Sequence, residues 1–176
     1  MESKQRAQPR VRDDFDGAWK NMLSEARFAA FTQFFLPDVY DRIDWKQPVV
    51  FLEQELRAIT RKTRRGAGAV DRLVKVGLTS GEDSWVLVHV EIQAQEDADF
   101  ALRMFRYRAR ILDRFGEVPV ACLAVLGDKN PVWKPREYAS SFWDTQIAFQ
   151  FRTVKLLDYS DRLAELCLLQ VSNDTI

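Results

Sequence analysis

The chain has 176 residues, 47% hydrophobic and 12% aromatic, enough to bury one substantial core at a length that suits a single domain. Its 26 Lys and Arg balance 26 Asp and Glu, so a nucleic-acid partner would have to be argued from local clusters of charge. One histidine, His89, and two distant cysteines, Cys122 and Cys167, exclude His-paired zinc enzymes and structural zinc cages, and no GxxxxGK[ST] phosphate loop is present, so an enzyme of this composition would be expected to rely first on carboxylates.

Residues 1–12 are polar and basic without periodicity and are expected to form a flexible basic tail, with residues 13–176 as one domain. The start has no apolar core for a secretory signal, and no apolar run approaches the ~20 residues of a membrane helix. Both cysteines sit in apolar surroundings, "VPVACLAVLG" and "RLAELCLL", and read as reduced and inert. A cytoplasmic protein without a membrane partner is the expectation.

From Asp14, a helix-cap candidate, apolar residues recur at Phe15, Trp19, Met22, Leu23, Ala26, Ala30 and Phe34 with the 3.6-residue period of a helix that Pro37 stops. "PVVFLEQEL" reads as a short strand or a strand-to-helix junction from near Val49. "RAITRKTRRGAGA" carries Arg57, Arg61, Lys62, Arg64 and Arg65 with no acid among them, as a solvated loop or a phosphate-binding one would.

"VDRLVKVGLT" (70–79) predicts a strand, "SGED" a turn, and "WVLVHVEIQAQ" (85–95) its hairpin partner. Strand side chains alternate between faces, so Val86, Val88, Val90, Ile92 and Ala94 share a core face. The other face begins apolar with Trp85 and Leu87 and turns polar at His89, Glu91, Gln93 and Gln95. His89 reads first as a packed strand residue.

"FALRMFRYRARILDRFG" (100–116) predicts a helix ended by Gly116, with Ala101, Met104, Phe105, Leu112 and Phe115 on its apolar side and Arg103, Arg106, Arg110 and Arg114 on the other. "VPVACLAVLG" (118–127) has the unbroken apolar run of a strand covered on both faces. "DTQIAFQFRTVKLLDY" reads as one further strand after a Pro-containing connection, and "DRLAELCLL" as a short final helix. The mixture predicts an α/β fold with a mixed sheet flanked by helices.

Asp71 and Glu91 lie ten residues either side of Gly81, so a turn centred there sets them opposite one another with Cβ atoms about 5 Å apart. Two carboxylates at that separation repel unless a cation lies between them. Mg²⁺ favours one or two carboxylates with waters and phosphate. An acid pair on the wet face of a hairpin, softened by nearby arginines, fits the same pattern, and a register slip of one residue would send Asp71 to the other face.

In order along the chain, "VVFLEQELRAI", "VDRLVKV", "VHVEIQAQ", "DFALRMFRYRARILDRFG" and "VPVACLAVLG" resemble the PD-(D/E)XK nucleases, in their recombination-promoting, transposase-like branch. The resemblance covers about 14–128 and implies a restriction-endonuclease-like fold for that core, to which the sequence pattern adds a C-terminal strand and helix within 142–170. The resemblance also implies that Asp71, Glu91 and the Ile92 backbone carbonyl bind Mg²⁺ or Mn²⁺, with Glu55 or Glu53 as a further ligand. Gln93 stands where a lysine is usual, and the metal would activate water against a DNA phosphodiester. Arg61, Lys62, Arg64, Arg65, Arg103 and Arg106 become candidates for the DNA backbone, and pairing of two copies is left open. The alternative is a catalytically inactive descendant that binds nucleic acid or a protein.

Overall fold

A computed structural model describes residues 23–60, 70–80, 85–162 and 165. Within it Asp71, His89 and Glu91 are placed by their backbones alone. The expected basic tail, the start of the first helix, the basic residues Arg61, Lys62, Arg64 and Arg65, the "SGED" turn after Ser80, Cys167 and most of the final helix lie outside the described residues.

Helix α1 (Glu25–Phe35) buries Phe28, Phe31, Phe34 and Phe35, and ends where Pro37, which lacks an N–H, opens the short helix α2 (Pro37–Tyr40). Strand β1 (Val50–Phe51) runs at once into helix α3 (Glu53–Thr60), the junction the sequence predicts. Strands β2 (Val70–Gly77) and β3 (Trp85–Gln93) form the expected hairpin. Helix α4 (Phe100–Phe115) then crosses over to β4 (Val120–Leu126). Its end is set by Gly116 at φ 74°, whose N–H donates to the Leu112 carbonyl.

The main sheet has the order β1-β2-β3-β4-β7, where β7 is Arg152–Lys155. Neighbours are antiparallel from β1 to β3 and parallel from β3 to β7. Joining parallel strands demands a crossover, and α4 supplies it between β3 and β4. This is the mixed α/β sheet flanked by helices that the sequence predicts.

Each face of the sheet has its own core. Val74, Val76, Val88, Val90, Ile92, Leu123, Val125 and Val154 meet the phenylalanines of α1. On the opposite face, Cys122, Ala124 and Leu126 meet Phe100 and Met104 of α4, while Leu73 meets Ile111 of α4 and Leu56 of α3. Burying each large side chain contributes roughly 1.5–3 kcal/mol. The double coverage explains why β4 is apolar along its length.

Two expectations need correction. The buried stripe of α4 is Phe100, Met104, Tyr107 and Ile111, spaced 4, 3 and 4 as a helical period requires; Leu112 is 41% exposed. Tyr107, set among arginines, hid that stripe. The single strand expected over "DTQIAFQFRTVKLLDY" is two, β6 (Thr145–Gln150) and β7, separated at Phe151, and β6 pairs with a strand the sequence reading missed, β5 (Glu137–Phe142). A 3-10 helix over Leu156–Arg162 follows. Among the described residues no helix is long and apolar enough to cross a membrane.

Candidate active site

The β2–β3 register pairs Val70 with Ile92, Asp71 with Glu91 and Leu73 with His89. Directly opposed residues share a face, so the backbone puts Asp71 and Glu91 side by side on the α4 side of the sheet. Across the parallel strands the row continues from Glu91 to Ala124 and from Ala124 to Thr153. The preceding row, Leu73–His89–Cys122, lies at the level where Leu73 and Cys122 are buried beneath α3 and α4. The switch from apolar to polar along β3 therefore marks where its face passes from under the helices to the acid row.

Gln93, two residues beyond Glu91, is fixed by its neighbours. Its Oε1 accepts from Arg103 Nη2 at 3.0 Å, and its Nε2 donates to the Gln95 carbonyl at 2.7 Å. Arg103 also donates through Nη1 to Asp97 and lies over the Phe100 ring at 5.2 Å. Its side chain is only 12% exposed, which removes it from the solvated arginine stripe expected of α4. Arg106 and Arg114 are exposed, and Arg110 is partly buried. Burial pushes the Asp97 carboxyl upward, but the Arg103 hydrogen bond and the Asp99 N–H outweigh it and hold the group below its usual range.

Glu53, a candidate further ligand in the first turn of α3, is committed to arginines: Oε1 lies 2.9 Å from Arg72 Nη1 and Oε2 3.5 Å from Arg57 Nη2. Glu55 is partly buried on the same turn. The start of α3 is tied to the hairpin, because the Leu52 N–H donates to the Leu73 carbonyl at 2.7 Å. Ile92 sends its buried side chain into the α1 core, which leaves only its backbone as a candidate donor. Among the residues with described side chains, which do not include Asp71 and Glu91, no cluster of three or more His, Cys, Asp or Glu is placed to hold an ion.

Sequence reasoning missed a buried ion pair on the same face. Lys155, paired with Leu126 and so in the row of Gln93, is 2% exposed and donates to Asp128 Oδ1 at 2.5 Å. Asp128 Oδ2 is buried without a hydrogen-bond partner. The alternation of "FRTVK" set beside β4 carried a signal for it, since it places Lys155 beside a core leucine.

Residues 13–125 match the family model described as "Putative transposase, YhgA-like". The chain belongs to that family. The YhgA-like transposase family falls in the PD-(D/E)XK nuclease-like branch, as the resemblance implies, and the matched segment includes Asp71, Glu91, Gln93 and Arg103. No curated protein and no solved structure matches this YhgA-like chain.

Proposed function

We propose that the protein is a metal-dependent DNA endonuclease with its centre at Asp71 and Glu91. The carrying observation is the hairpin register, which makes these two acids direct cross-strand partners inside the family-matched segment. Two hard oxygen donors at facing positions suit Mg²⁺ or Mn²⁺, with the Ile92 carbonyl and Glu55 as further donors. A divalent cation held there supplies activation of water and charge neutralisation on a phosphodiester. DNA is the proposed partner, with Arg61, Lys62, Arg64, Arg65 and Arg106 along its backbone.

Gln93 cannot act as a base or carry charge, but one Nε2–H remains beyond the bond to Gln95 and can donate to a water or phosphate oxygen. Arg103 sets the orientation of that amide and brings a fixed positive charge beside it. A second reading, a nuclease fold that binds nucleic acid without cutting it, is favoured by the same missing lysine.

Plasmid nicking separates the two. The expected result is Mg²⁺-dependent nicking that disappears in both Asp71→Ala and Glu91→Ala. Cutting that survives in both variants removes these residues from the chemistry, and DNA binding without cutting selects the second reading.

A further inference from the structure

We propose that the outer edge of β5 is a self-association surface, on which a second copy of this chain adds its own β5 in antiparallel fashion. The proposal goes beyond DNA cleavage and stands whether or not DNA is cut. It uses residues past the end of the family-matched segment at residue 125.

The edge is open. Thr153 Oγ1 donates to the Pro135 carbonyl and the Phe151 N–H to the Arg136 carbonyl, so the chain entering β5 lies alongside β7, whose other flank is held by β4. β5 and β6 form a separate two-stranded sheet, and no described strand pairs on the outer side of β5. A free edge is ordinarily protected by lysine, proline, a bulge or a covering element. β5, "EYASSF", has no lysine and no proline, carries its single charge, Glu137, at its first residue, keeps an unbroken register with β6, and exposes Ala139, Ser140, Ser141 and Phe142. A two-stranded ribbon with so little covered is marginal by itself.

The tip reinforces this. Phe142 and Trp143 are 68% and 86% exposed, with rings stacked at 4.9 Å. Trp143 holds a φ of 51°, where glycine or asparagine is the easy choice for a two-residue turn. A bulky residue in that conformation and that open to water points to a contact.

Geometry selects both the occupant and its register. In a two-residue hairpin the residues flanking the turn bond each other, so Phe142, Ser140 and Tyr138 direct their backbone groups at β6, while Ser141, Ala139 and Glu137 direct theirs outward. Two β5 edges related by a twofold axis at Ser140 exchange those outward groups between Ala139 and the partner's Ser141. The same register sets Tyr138 against the partner's Phe142, extending the stack of Tyr138 on Phe105. It also sets Arg136 against the partner's Asp144, twice per dimer. A shift of two residues either way loses both matches. Arg136 is exposed, and among the described residues no acid pairs with it.

Sedimentation velocity on the full chain, without DNA or metal, tests the assignment. The expected result is a dimer at micromolar concentration. Ala139→Pro, which removes an outward N–H and no bond within the hairpin, should give a monomer with an unchanged circular dichroism spectrum. Arg136→Asp and Asp144→Arg should each weaken the dimer about tenfold or more, because like charges then meet at two symmetric points, and the double exchange should restore it. A monomeric wild type, a folded Ala139→Pro dimer as tight as wild type, or a double exchange no tighter than its parents would overturn the proposal. Should Ala139→Pro not fold, the charge exchange decides alone.

Discussion

Arg103 on α4 holds the side chain of Gln93 on β3, with Nη2 3.0 Å from Oε1. This contact ties the helix to the strand that carries Glu91. Removing it leaves the amide held by the Gln95 carbonyl alone while the acid row keeps its backbone register. Arg103→Ala should therefore reduce nicking by about tenfold to a hundredfold, with Arg103→Lys recovering part of the loss. Mn²⁺ binding, read by calorimetry, should stay within a few-fold of wild type. Equal loss of metal affinity in Arg103→Ala would show that the arginine shapes the ion site itself.

Metal binding should also register as stability. Mn²⁺ in excess should raise the melting temperature of the wild type, by mass action on the folded state, and leave Glu91→Gln unmoved. An equal rise in both proteins would locate the ion elsewhere.

Acid should weaken the fold in a definite window. Arg152 makes paired bonds of 2.6 and 2.7 Å to Asp38, holding that carboxyl below its ordinary value of 3.8, and Asp97 is lowered by the balance described above. A folded-state pKa below the unfolded one adds stability that is complete above the unfolded pKa and is lost as pH falls through the folded one. Denaturant titrations from pH 6 downward should show stability dropping below about pH 4. Asp97→Asn should flatten part of that slope, and Asp38→Asn less of it, because the Asp38 pair is exposed and screened by solvent.

The buried Lys155–Asp128 pair should behave asymmetrically. Lys155→Met alone strands the carboxylate and should cost about 3–5 kcal/mol, whereas Lys155→Met with Asp128→Leu should recover much of that loss. Urea unfolding of the three proteins measures the difference.

On α4, Ile111→Ala should cost about 2–5 kcal/mol and Leu112→Ala within about 0.5 kcal/mol, by the same measurement. The reverse order would restore the helix face expected from the sequence.

The hairpin register was legible because ten residues on each side of Gly81 left little freedom once one face had to be apolar. The crossover into β4 was legible for a similar reason, since an unbroken apolar run needs cover on both sides. The α4 stripe was not, because Tyr107 between Arg106 and Arg108 reads as polar until Met104 and Ile111 show it buried. β5 escaped because "EYASSF" has the small polar residues of a loop, and only its pairing with β6 makes it a strand. Arg103 looked like a surface charge and Lys155 drew no notice, since their partners are not helix or strand neighbours on their own elements.

Ala124 sits next to Glu91 and is wholly enclosed beneath Phe100 and Met104. That roof shuts the β4 flank of the acid row, so on the proposed endonuclease reading a scissile strand would have to reach the row from another side. Enlarging Ala124 would press on Phe100 and Met104.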